Sequence, residues 1–138
     1  MSPLPRTSVD TEVELRLVVP EAGTVPLRVA LRYGIHDPFA VTAAFAGDGL
    51  TVEWVFARDL LVGGLEQPCG DGDVHVWPSW GGGRDLVLLS LSSPDGQAVL
   101  EADAADLRSF LDRTLEVVPA GRESDHVDVD AELAALFG

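Results

Sequence analysis

Between Leu50 and Leu65 the hydrophobic period changes in mid-run, and few folds accommodate such a change. Leu50, Val52, Trp54 and Phe56 alternate with Thr51, Glu53 and Val55, the two-residue period of a strand with one buried face. From Ala57 the spacing of Ala57, Leu60, Leu61 and Leu65 suits a short helix. Gly63-Gly64 is read as its close, because a left-handed cap costs glycine no Cβ clash. A strand that enters a helix without a loop fixes where that helix lies against its sheet. Arg58-Asp59 falls at the joint.

The rest of the chain supplies partners for that strand. Alternation places Val13, Leu15, Leu17 and Val19 inward on a strand over 11–19, and Val25, Leu27, Val29, Leu31 and Tyr33 inward over 25–33. The break at residues 20–24 predicts a hairpin pairing Val19 with Val25 and Leu15 with Val29. Glu12 then faces Arg32, and Glu14 lies diagonal to Arg28 and Arg32, each pair contributing about 0.2–1 kcal/mol. Phe39, Val41, Ala43 and Phe45 form a third strand. Returning through residues 46–49, it pairs Phe45 with Leu50, Val41 with Trp54 and Phe39 with Phe56, an aromatic ladder that buries Trp54. Pro68 to Gly72 reads as a loop, residues 73–77 as a strand halted by Pro78, and Trp80 to Gly83 as a loose connection.

The plainest hairpin joins strands over 85–92 and 97–102 through Ser93-Pro94-Asp95-Gly96, with Leu89 facing Leu100 and Leu91 facing Ala98. Its outer side carries Leu88 and Val99 among polar residues, so something should cover that side. Asp103 is read as the cap of a helix over 104–117, with Leu107, Phe110, Leu111, Thr114 and Val118 in one stripe and Pro119 beyond its end. A second, two-turn helix over 130–137 must dock on the core or on a partner. The fold class is α+β. About seven strands form antiparallel hairpins in one or two sheets, with a short helix after strand four and two C-terminal helices.

Length and charge bound the function. A chain of 138 residues is one domain, spanning 1–138 with 1–10 as a frayed end, and buries roughly two-thirds of its unfolded surface. No leader pattern and no apolar run near ~18 residues is seen, so a cytoplasmic protein without membrane insertion is expected. A single cysteine, Cys69, leaves no internal disulfide. The 23 acids against 9 bases, all Arg, give a net charge of −14. Half of that excess lies in 101–138. Such a surface repels phosphate backbones and anionic membranes.

Catalytic constellations are missing from the sequence pattern. His36, His75, His126 and Cys69 show no metal-ligand spacing, and Cys69 to Asp73 lacks the third ligand and the terminal Glu of a calcium loop. Gly81-Gly82-Gly83-Arg84 is not followed by the Lys-Ser/Thr of a phosphate loop, and no serine sits in Gly-x-Ser-x-Gly. No cofactor or metal is expected, and an enzyme is not indicated. Trp80, beside three glycines, is read as partly exposed.

Several stretches together resemble the SsgA-like family of sporulating actinomycetes. They are Thr51 to Leu61, Gly72 to Ser79, Leu91 to Gly96, Leu107 to Thr114, and Val13 to Val19 with Leu31-Arg32-Tyr33. The resemblance implies a non-enzymatic regulator of sporulation-specific division. The type it is most similar to brings the tubulin-like protein FtsZ to future septa and promotes its assembly, positioned by an SsgA-type paralogue. It also implies a whirly-like architecture and a homo-oligomer, with a trimer as the form suggested. The runner-up is a single-stranded nucleic-acid-binding module, which the charge of −14 opposes. Arg58, Asp59, Trp80, Leu88 and Val99 are the candidate partner contacts, with Arg58-Asp59 alternatively a brace within the fold.

Overall fold

The computed structural model describes residues 6–47 and 50–126. Eight strands form one antiparallel sheet in the order β4-β3-β2-β1-β8-β7-β6-β5. β1 (Ser8–Val19), β2 (Gly23–Gly34), β3 (Ala40–Gly47) and β4 (Leu50–Ala57) make one half. Helix α1 (Arg58–Gly64) follows β4 directly, as its period predicts. β5 (Cys69–Asp71), β6 (Val74–Gly81), β7 (Arg84–Ser93) and β8 (Gly96–Asp103) make the other half. Helix α2 (Ala104–Val117) and a 3₁₀ turn (Glu123–His126) complete the described chain. The expected helix over 130–137 lies outside the described residues.

The joint at residue 58 explains the curl of the sheet. β4 and β5 are its opposite edges, and eight flat strands would hold them about 34 Å apart at ~4.8 Å per spacing. Yet α1 and four following residues join them, and α1 packs on β4, β5, β6 and α2 at once. The sheet therefore wraps around its helices. Leu15, Leu31, Phe45, Phe56, Leu89 and Leu100 from six strands converge with Leu61 of α1 and Leu107 of α2. α2 buries the stripe read from its sequence, Leu107, Phe110, Leu111 and Thr114, with Val118 just beyond.

Registers follow the turns. β7 and β8 pair Leu89 with Leu100 and Leu91 with Ala98, as the Pro-Asp-Gly turn requires. β1 and β2 pair instead as Leu17 with Val25 and Leu15 with Leu27, two residues from the expected register. The loop is only Pro20-Glu21-Ala22, because Glu21 takes φ 66° and Gly23 φ 86°, both left-handed. A two-residue shift keeps every side chain on its face. Glu14 consequently faces Arg28, and Arg28 reaches Glu12 at 3.7 Å. β3 and β4 shift likewise, pairing Val41 with Phe56, Ala43 with Trp54 and Phe45 with Val52. The aromatic ladder is correspondingly shorter. Phe39 precedes the strand and is 50% exposed, Val52 at the open end is 53% exposed, and Trp54 is half-buried with its ring stacked 6.5 Å from that of Phe56.

Four further expectations are corrected. Residues 69–71 are a strand and not part of a loop, held by pairing Cys69 with Val76 and Asp71 with Val74. Pro78 does not stop β6. The Asp73 carbonyl accepts from Ser92, so by alternation the missing N–H of Pro78 points away from β7, on the side where β5 has already ended. Residues 80–83 are a tight hairpin, with Gly82 at φ 60° and Gly83 at φ 75° between paired Gly81 and Arg84. Gly63 and Gly64 are not left-handed caps: the helix runs on to Leu65 in right-handed geometry. They are glycines because of close approach. A Cβ on Gly63 would stand 2.8 Å from Cys69 Sγ, and one on Gly64 would collide with Cβ and Cγ1 of Val76.

Candidate functional site

Arg58 continues the inward parity of Trp54 and Phe56, so its side chain enters the core although it is charged. It is 1% exposed, and its two terminal nitrogens are partnered while Nε has no hydrogen-bond partner among the described residues. Nη1 donates to the carbonyls of Thr114 at 3.1 Å and Val118 at 2.7 Å. Nη2 donates to Glu123 Oε1 at 2.7 Å. The guanidinium lies 4.9 Å from the centre of the Tyr33 ring, whose hydroxyl donates to Pro38 O at 2.9 Å. Thr114 O already accepts from Val118 N–H at 2.9 Å, so Arg58 is a second donor there, whereas the Val118 carbonyl just past the helix takes its donor from this cation at the helix C-terminus. Glu123 Oε2 accepts from Gly121 N at 3.0 Å, so the carboxylate is held on both oxygens. Arg58 thus locks the β4–α1 joint to the end of α2 and to the 3₁₀ turn.

The protonation of this cluster follows from its contacts. The hydrogen bond from Arg58, helped by the local backbone N–H groups, holds the Glu123 carboxyl below the usual range. Burial pushes the Tyr33 hydroxyl up, against the opposing charge of Arg58. Neither group is poised to exchange protons at neutral pH.

A second cluster lies on the sheet face turned away from the helices. Arg16 Nε donates to Glu101 Oε1 at 2.7 Å and Nη2 to Asp103 Oδ1 at 2.9 Å, while Asp103 Oδ2 accepts from Arg84 at 3.2 Å. These bonds raise the Arg16 pKa further, the Glu101 bond most. They also occupy the carboxylate expected to cap α2: Asp103 precedes the helix but makes no side-chain cap bond. Arg16 and Glu123 escape a sequence reading, whereas Tyr33 and Thr114 are legible as inward residues but not as neighbours of Arg58. Arg58 did leave a sign, as a charge standing where strand parity demands an inward residue.

The five candidate contacts do not form one site. Arg58 is inside, as the brace, whereas Asp59 beside it is exposed on the first turn of α1. Trp80 is 70% exposed at the end of β6. Leu88 pairs with Trp77 and Val99 with Ser90, so Leu88 and Val99 share the helix-free face as diagonal neighbours, both half-buried. Among the described residues, seven of the nine Arg (16, 28, 32, 58, 84, 108 and 122) are in ion pairs with acids of the same chain. What the described surface presents is therefore acid. Among the described residues no three His, Cys, Asp or Glu stand together as metal ligands, and no helix is long and apolar enough to cross a membrane.

A curled antiparallel sheet closed by the lock of Arg58 on α2 defines a framework of α+β class. Residues 27–123 match the family described as Streptomyces sporulation and cell division protein, SsgA, and the chain belongs to that family. It is 51% identical over 129 residues to the sporulation-specific cell division protein SsgB of Thermobifida fusca, covering 93% of this chain and 94% of that one. To SsgB of Streptomyces coelicolor it is 53% identical over 132 residues, 95% and 96% of the two chains. Solved structures agree. One comes from work on SsgB mutations that correlate with longitudinal cell division during sporulation of S. coelicolor, with TM-score 0.84 and 51% identity over 91% of this chain and 99% of that one. The other is the crystal structure of an SsgA-like sporulation-specific cell division protein of T. fusca, with TM-score 0.85 and 50% identity over 99% of both.

Proposed function

We propose that this protein acts in sporulation-specific cell division as a non-enzymatic scaffold that brings FtsZ to septum sites and promotes its assembly. The observation that carries the role in division is the identity of about half of all residues, over nearly the whole length, with sporulation-specific division proteins. The step to FtsZ rests on the sequence resemblance to the type that recruits it. The scaffold reading is supported by the net charge of −14 and by the acids that stand beside seven of the Arg among the described residues, which together make the described surface predominantly acidic. FtsZ-family proteins are acidic as a class, so the two surfaces meet through apolar patches and main-chain hydrogen bonds. Self-association through the Leu88–Val99 face multiplies weak contacts along a filament, and an SsgA-type paralogue is the partner that positions the complex at the septum.

The test is pelleting and light scattering of FtsZ with GTP, with and without the protein. Added protein should raise the polymer fraction. Raising salt across ~50–300 mM should leave the effect unchanged or strengthen it, since screening relieves repulsion between two acidic bodies. No effect on FtsZ, or a steep loss with salt, overturns the reading. The nucleic-acid alternative predicts retention of single-stranded DNA in a filter assay; the surface charge predicts none.

A further inference from the structure

Among the described residues β4 and β5 are the free edges of the sheet, and they are built differently. β5 is three residues long, and because Cys69 and Asp71 point their main-chain groups at β6, only Gly70 offers N–H and C=O outward. That is a blunted edge. β4 is eight residues long and carries no Pro, Gly or Lys. The Phe39 carbonyl accepts from Arg58 N–H at 2.7 Å, which puts residue 58, and by alternation Phe56, Trp54 and Val52, in bonded pairs with β3. The main-chain groups of Thr51, Glu53 and Val55 consequently face away from the sheet, three donors and three acceptors in a row. The side chains along this edge are open as well. Val52 is 53% and Val55 59% exposed, and among the described residues Glu53 is paired only with Arg32 at 4.0 Å, with both side chains half in water.

We propose that the β4 edge is a receptor for one extended segment of a partner protein, added as a ninth strand. This goes beyond the scaffold reading and does not depend on which protein the partner is. The edge states the chemistry of the segment. Residues opposite Val52 and Trp54 are apolar and continue the inner face, the one opposite Val55 is β-branched, and the one opposite Glu53 is Arg or Lys. The basic residue follows from charge complementarity, since this chain carries −14 and Glu53 has only a weak internal partner. A second copy fits less well. It brings another −14 and offers Glu53 a copy's Thr51, Glu53 or Val55, none of them basic.

The probe is a nine-residue peptide with blocked ends, alternating Thr and Val, with Arg in place of the central Thr. It is titrated into the 15N-labelled full chain. The amides of Thr51, Glu53 and Val55 should exchange freely without peptide and become protected with it, while those of Val52, Trp54 and Phe56 are protected throughout. Val55→Pro removes an outward N–H without touching the β3 ladder, so the fold should persist and peptide affinity should fall about tenfold. Glu53→Arg gives a second, independent reading: it should weaken the Arg peptide and favour the same peptide with a central Glu. Unchanged affinity in both variants, protection appearing elsewhere, or no response at millimolar peptide overturns the proposal. So does protection of 51, 53 and 55 in a self-associated form without peptide, because the occupant is then a second copy.

Discussion

Arg58 and Glu123, 65 positions apart in the chain, meet at 2.7 Å with side chains 1% and 8% exposed. Neither partner tolerates the loss of the other. A buried ion left alone bears its full desolvation cost, while loss of both is milder. Arg58→Met and Glu123→Gln are each expected to lower the melting temperature by several degrees, and the double variant by less than the sum. The reversed pair, Arg58→Glu with Glu123→Arg, should not recover stability, because the buried Val118 carbonyl needs a donor at position 58 and a carboxylate there would face it and the Thr114 carbonyl. Thermal unfolding followed by circular dichroism reads all four.

Acid sensitivity has a defined direction. The Glu123 carboxyl is held below its unfolded value, so its contribution is fully present above the unfolded pKa, about 4.3, and is lost as pH falls through the lower folded value. Stability should therefore be level on this account from pH 7 to about 5 and decline below about 4. Glu123→Gln should be less stable at neutral pH and should show a shallower acid limb. An acid limb of unchanged steepness in the variant would assign the loss to other carboxylates.

What was legible in the chain is what local rules decide. The stripe of α2 and the Pro-Asp-Gly hairpin of β7 and β8 each rest on a handful of adjacent residues, and both match. The strand-to-helix joint was equally readable, because a change of period needs no partner to be seen. The registers of β1–β2 and β3–β4 were not. Turn length at Glu21 depends on a non-glycine residue in left-handed geometry, which sequence seldom announces. β5 has no period of its own and exists because Val74 to Val76 lie beside it. The Arg58–Glu123 lock lies wholly in tertiary contacts, so Arg58-Asp59 read as two alternatives until the fold showed one side chain inside and its neighbour outside.

Gly64 offers a case in which two effects oppose. Helix propensity alone favours Gly64→Ala by about 1 kcal/mol. The added Cβ meets Cβ and Cγ1 of Val76, a branched side chain fixed in the core at 0% exposure, so the overpacking term of about 1–3 kcal/mol should win. Urea unfolding should show net destabilisation, partly relieved by adding Val76→Ala. A stabilised Gly64→Ala would mean that α1 can shift off β6.

Leu88 and Val99 bear on self-association. They share the helix-free face with the half-buried Trp77, and polar Ser90 and Gln97 bond each other there at 2.7 Å. Replacing both by acid, Leu88→Glu with Val99→Glu, places like charges near Glu101, itself held by Arg16. Association through this face should then fail, while the melting profile of the isolated chain changes little because α1 and α2 pack on the other side. Sedimentation velocity at micromolar concentration measures it: the wild type should run as an oligomer and the double variant as a monomer. A monomeric wild type, or a variant that keeps the oligomer, would remove this face from assembly.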